Sequence, residues 1–152
     1  MLFQEKEDML KTASKISVPG FLANGISAGI KGADKKDLGL IYSTVPAKAA
    51  AVFTRNAFKA APVLINMERI KKGSAQAILT NSGCANAATG KDGYTDALVV
   101  SASAAKQIKI PEEQLLVCST GVIGRRLPVK KIESGLSRLV KGLHEYGIED
   151  AE

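Results

Sequence analysis

Apolar residues in this chain come in short runs, and glycine or proline interrupts almost every one of them. FLANGISAGI (21–30), LGLIYS (38–43), AQAILT (75–80) and LLVC (115–118) are each bounded by turn-forming residues. None approaches the roughly 20 apolar residues that a membrane helix requires. Runs of this length read as short strands, whereas longer stretches with apolar residues three and four apart read as helices. The spacing therefore predicts a hairpin over 21–43, with a turn at 32–37. A third strand is expected at AAAVFT (49–54), a buried strand at 75–80 and another at 115–118.

Helical signals alternate with these. Pro62 suits an early helix position; Val63, Met67 and Ile70 follow at helical spacing, and Gly73 ends the segment. An alanine-rich helix is expected over Asp96–Ile108. Pro128 opens a last helix whose apolar stripe is Ile132, Leu136, Leu139 and Leu143, which places His144 on that helix. Residues 1–16 read as a polar lead-in with a short helix. Strands and helices mix without strict βαβ alternation, so the fold class is α+β, with sheets and helices in layers. One domain accounts for 152 residues, with no repeat and no linker.

Charge and cysteine content narrow the function classes. Residues 1–76 hold twelve basic and six acidic residues, whereas 77–152 hold nine of each, so the net charge of +6 lies in the first half. The lysines there are scattered and not interleaved with aromatics, which argues against nucleic-acid binding. They fit a solvated surface facing an anionic substrate or an acidic partner. Cys84 and Cys118 lie far apart and His144 is the single histidine, so no zinc-ligand spacing exists and no metal is expected. The N-terminal residues lack a signal-peptide core, and a reducing cytoplasm is the expected compartment.

Two loops carry candidate chemistry, each after a short apolar strand. TNSGCANAATG (80–90) offers amides, glycines and small side chains, through which backbone N–H groups can approach a ligand. CSTGVIGRR (118–126) exposes hydroxyls and a flexible N–H pair, the donors an oxyanion hole needs, beside Arg125 and Arg126, which could bind a carboxylate or phosphate. GVIG is neither a Walker A sequence nor a dinucleotide fingerprint. A tight connection between strand and helix is the plainer reading of the first loop, and a simple turn is an alternative reading of the second. Cys84 reads as a small buried hydrophobe rather than a nucleophile, and His144 as a surface residue rather than a base. Donors without a nucleophile are what remain.

Four collinear runs carry a resemblance: PGFLANGISAGIK (19–31), DLGLIYSTVPAKAAAVFTRNAFKAAPV (37–63), NSGCANAATGKDGYTDA (81–97) and CSTGVIGRRLP (118–128). Together they resemble the ornithine acetyltransferase family, also called glutamate N-acetyltransferases, over about residues 17–150. The resemblance implies a layered αββα sandwich, the DmpA/ornithine acetyltransferase fold. It also implies a precursor that cuts itself before a threonine into α and β chains, which assemble as an α2β2 heterotetramer. The new N-terminal threonine of β takes acetyl from N2-acetylornithine and passes it to glutamate. Some members also use acetyl-CoA, and no cofactor is implied.

On this resemblance the sequence is most of an α chain, and Thr120 and Gly121 form the oxyanion hole. The sequence stops at Glu152, whereas the family's α chain runs on to its cleavage site. The family's substrate-gripping Thr and Lys thus lie beyond Glu152, and substrate-binding residues stay unassigned. An amidohydrolase or aminopeptidase of the same architecture is one alternative. A non-catalytic anion-binding module using GVIGRR is another.

Overall fold

A computed structural model describes residues 16–32 and 34–151. The expected lead-in helix therefore lies outside the described residues, and so does Glu152, beyond which the substrate-gripping residues are expected. Among the described residues four strands form one sheet: β1 (Phe21–Ile26), β2 (Leu38–Lys48), β3 (Ser74–Cys84) and β4 (Leu115–Val122), in that spatial order. The first two pairings are antiparallel and β3–β4 is parallel. Helices α1 (Ala61–Arg69), α2 (Gly90–Ile108), α3 (Val129–Lys141) and the short α4 (Ile148–Ala151) complete the fold, with 3-10 turns at Ile70–Lys72 and Glu112–Gln114.

The pleat separates two sheet faces. On one, Leu38, Leu40, Ala77, Leu79, Leu115 and Val117 are buried against Ile65 of α1, Val100 and Ala104 of α2, and Ile132, Leu136 and Leu139 of α3. This is the core, built from aliphatic and small side chains. On the opposite face α4 lies over β1 and β2, where Gly25 and Gly39 pair: a Cβ on Gly25 would stand 1.5 Å from the Asp150 carbonyl oxygen. The rest of that face carries Phe21, Ile41, Ile78 and Leu116, partly exposed. The α+β class is as expected, and the described residues supply one β layer with its helical layer.

Polar side chains lock the elements together. Arg69, at the end of α1, is 9% exposed. It donates to the Leu115 carbonyl and Ser101 Oγ at 2.5 Å each and pairs with Glu112 at 2.5 Å. Burial lowers its pKa against the opposing pull of Glu112. The Asn66 amide donates to the Val117 carbonyl at 2.8 Å and accepts from the Val117 N–H at 3.0 Å, on the outer edge of β4. Asp37, also buried, accepts from the N–H groups of Ala28, Ile30 and Lys31 and fixes the long β1–β2 connection.

Several expected boundaries shift. Residues 49–54 are not a strand: β2 itself runs on through Lys48, past an irregularity between Tyr42 and Ala47, and the alanine run beyond it has no strand partner. β3 extends to Cys84 and β4 to Val122, so much of both expected loops is strand. α2 starts at Gly90, six residues before Asp96, and the buried Asn86 amide donates to the Gly93 carbonyl in its first turn. α3 ends at Lys141, and His144 lies beyond it, bridged to Ala23 of β1.

Candidate active site

β3, α2 and β4 form a parallel crossover, so the C-terminal ends of β3 and β4 emerge side by side. The register sets Asn81 opposite Ser119, Ser82 opposite Thr120, Gly83 opposite Gly121 and Cys84 opposite Val122. The two small-residue runs read from the sequence are thus neighbours, residue for residue. Ser119 Oγ donates to Asn81 Oδ1 at 2.6 Å, and Asn81 Nδ2 donates to the Cys84 carbonyl at 2.9 Å. Asn81 is buried and pins both strand ends.

Thr120 is exposed and, by strand alternation with Val117, stands on the face away from α1, α2 and α3. Its Oγ1 lies 3.4 Å from Ser82 Oγ. The direction of the Gly121 N–H follows from its neighbours. Val117 turns both its polar backbone groups outward to Asn66. Val122 turns its carbonyl inward, to the Ala85 N–H at 3.0 Å. Alternation from Val117 along the extended residues of β4 directs the Thr120 carbonyl toward β3 and, across the planar trans peptide, the Gly121 N–H to the open edge. A hydroxyl and a backbone N–H therefore sit on consecutive residues at the rim of the sheet. Such a pair can hydrogen-bond a developing oxyanion.

The other residues singled out from the sequence take different places. Cys84 is 1% exposed and its thiol donates to the Arg125 carbonyl at 3.1 Å, so it tethers the loop after β4 and is not poised for attack. Cys118 is exposed on the Thr120 face, yet the atoms crowding it push its thiol pKa up by desolvation, which disfavours the thiolate. Arg126 grips Asp96 with two hydrogen bonds of 2.7 and 2.8 Å and reaches Asp92 at 3.2 Å. The Asp96 pairing raises its pKa. Arg126 is thus engaged in holding the loop to α2, which weakens an anion-binding reading of GVIGRR; Arg125 is exposed.

His144 faces Asp150 at 3.3 Å beside β1, at the opposite edge of the sheet from β4. At the usual strand spacing that is roughly 15 Å or more from Thr120. The site thus brings Thr120 and Gly121 together with Asn81 and Ser82, and keeps Cys84, Arg126 and His144 out of it. Sequence reading missed Ser82 and Asn81 as individuals, although both lie in the TNSG run. Thr80 and Ser82 also line a shallow recess bounded by Lys36, Gly39 and Asp150.

The chain is similar to known proteins over most of its length. The ArgJ family matches residues 22–152, through Glu152. The chain is 52% identical over 138 residues to the arginine biosynthesis bifunctional protein ArgJ of Caldanaerobacter subterraneus subsp. tengcongensis, covering 90% of this chain and 34% of that protein. It is 50% identical over 123 residues to the protein of the same name from Lactococcus lactis, covering 81% and 31%. Among solved structures it superposes on ArgJ of Bacillus halodurans with a TM-score of 0.81 at 44% identity, covering 90% of this chain and 72% of that one. It also superposes on the ornithine acetyltransferase of Mycobacterium tuberculosis in complex with ornithine, with a TM-score of 0.84 at 37% identity, covering 91% and 77%. The chain spans about a third of the length of the curated relatives it matches.

Proposed function

The chain belongs to the ArgJ family, and on that premise we propose that it is the oxyanion-hole portion of an acetyltransferase of arginine biosynthesis. In this reading it is most of an α chain, a single domain over residues 1–152, and the residues that grip the substrate lie beyond Glu152. A β chain cut from the same precursor packs against the sheet face that bears Phe21, Ile41, Ile78 and Leu116, completes the αββα stack and pairs again into an α2β2 heterotetramer. The N-terminal threonine of β attacks the acetyl carbonyl of N2-acetylornithine. As that carbon becomes tetrahedral, its oxygen takes negative charge and accepts hydrogen bonds from the Thr120 hydroxyl and the Gly121 N–H. Collapse expels ornithine and leaves acetyl on the threonine. Glutamate then attacks, through a second oxyanion in the same hole, and leaves as N-acetylglutamate.

The observation that carries this reading is the pairing of Thr120 with an outward-facing Gly121 N–H at an exposed strand end, in a chain where neither thiol nor the described histidine is placed as a nucleophile or base. An N-terminal threonine needs no histidine, because its own α-amine serves as the base. Acetyl-CoA is a further candidate donor, with no cofactor required. No helix among the described residues is long and apolar enough to cross a membrane. The unpaired Cys84 and Cys118 fit a cytoplasmic location.

The test is steady-state kinetics of the complete two-chain enzyme, with N2-acetylornithine varied at several fixed glutamate concentrations. Parallel double-reciprocal lines and acetyl label on the partner chain's threonine are expected. Intersecting lines, or label on Cys84, would overturn the proposal. Acetate release in place of acetyl transfer would mark a hydrolase of the same architecture.

A further inference from the structure

We propose that Ser82 is a positioning residue for the oxyanion hole, acting through the Thr120 hydroxyl; the inference rests on the reading of Thr120 given above. The two side chains stand on the same sheet face, directly across one rung of the β3–β4 ladder, with their hydroxyl oxygens 3.4 Å apart. That is a loose contact for O–H···O, and a small rotation about χ1 of either residue closes it to the usual 2.7–2.8 Å. Catalytic hydrogen bonds in unliganded sites often have this length and tighten when substrate arrives.

The hydroxyl bookkeeping gives the contact a direction. Thr120 has one O–H. If it donates to Ser82, it has nothing to offer an oxyanion. When the oxyanion forms, the Thr120 proton turns to it, and the Thr120 oxygen becomes free to accept. Ser82 is the hydroxyl placed to donate there. The result is a two-membered relay, from Ser82 O–H to Thr120 Oγ1 and from Thr120 O–H to the oxyanion. Each bond in such a chain polarises the next. The relay also selects the Thr120 rotamer before substrate binds.

Ser82 is well anchored for this role. Its N–H donates to the Asp37 carbonyl at 2.9 Å, and Asp37 is itself held by three backbone N–H groups of the β1–β2 connection. The preceding rung is fixed independently by the bond from Ser119 to Asn81. The strand pair therefore leaves Ser82 little freedom beyond its own χ1.

The experiment is a double-mutant cycle in the complete enzyme. Ser82→Ala is expected to lower kcat about tenfold, the worth of one neutral hydrogen bond, with KM within twofold. Ser82→Cys keeps the volume but donates poorly and should lose as much, whereas Ser82→Thr keeps the hydroxyl and should stay within threefold of wild type. In a Thr120→Ala background, Ser82→Ala should cost nothing further. A full tenfold loss in that background, or wild-type kcat for both Ser82→Ala and Ser82→Cys, overturns the relay. If Thr120→Ala is slow but Ser82 variants are not, the oxyanion hole stands and only the Ser82 role falls. If Thr120→Ala is itself as fast as wild type, both fall.

Discussion

Across the last rungs of the β3–β4 ladder, Gly83 and Gly121 approach so closely that a Cβ built on Gly121 would stand 2.4 Å from the Gly83 carbonyl carbon. Gly121 also has φ of +126°, which side chains rarely adopt. Gly121→Ala should therefore push β4 off β3 and move the Thr120 hydroxyl with it. Roughly 2–4 kcal/mol of stability should go with this strain and the lost rung. Thermal unfolding of the assembled enzyme checks this: an unchanged Tm would mean that the ladder absorbs the methyl group.

Thr120→Ala should act differently, because the side chain is exposed and its removal leaves the β3–β4 ladder intact. Acetyl transfer is expected to slow by about 10²–10³, the usual loss for one oxyanion donor, with Tm unaltered. Rates within twofold of wild type would remove Thr120 from the mechanism.

Arg69→Met should destabilise without touching the site. The methionine keeps the stem but leaves the Leu115 carbonyl and Ser101 without their charged donor and Glu112 without its partner. Glu112 is 40% exposed and recovers solvent, so the expected loss is about 2–3 kcal/mol rather than the full penalty of a buried ion pair. Denaturant unfolding of the assembled enzyme measures it, and a change under about 0.5 kcal/mol would show that the arginine is not a tie.

Acid should loosen α4. Lys36, and after it His144, hold the Asp150 carboxyl below its ordinary pKa. A carboxylate with a lowered folded-state pKa stabilises fully above its unfolded value, about 3.9, and that stability is lost as pH falls through the folded value. Asp150→Asn should therefore weaken the fold at pH 7, and its difference from wild type should fade below about pH 4. Both ion-pair partners are substantially exposed, so the effect is small and salt-sensitive. Hydrogen exchange at residues 148–151 across pH 3–7 would read it directly, and a pH-independent difference would contradict it.

Expressed alone, residues 1–152 should be catalytically silent and prone to associate. Val52 is 99% exposed and Phe58 72%, and the sheet face of Ile41, Ile78 and Leu116 is only partly covered. Co-expression with the proposed β chain should give a soluble, active species on gel filtration. A monomeric and fully active 152-residue protein would rule out the two-chain reading.

What the sequence made legible depended on how local the determining contacts are. The hairpin of β1 and β2, the helical segment that Gly73 closes beyond a 3-10 turn, and the buried stripe of Ile132, Leu136 and Leu139 all follow from local patterns of short apolar runs, turn residues and helical spacing. The strand expected at 49–54 failed because β-forming content alone cannot say whether a partner exists, and β2 had already continued through Lys48. The ends of β3 and β4 were read as loops because Gly83 and Gly121 look like breakers until each is seen against the other. Thr120 and Gly121 stood out through chemistry and resemblance. Ser82 did not, since its role depends on a rung joining residues 38 positions apart. Arg69 was invisible for the same reason, with its carbonyl acceptor 46 residues away.

The Asn66 amide has one more effect. β4 is the last strand of the sheet, and an exposed parallel edge is a template on which foreign strands can grow. By making both bonds to Val117, the side chain occupies the two positions that an added strand would need at the middle of that edge. One amide from a neighbouring helix thus blocks strand addition there, and the exposed rim at Thr120, three rungs further along, stays open.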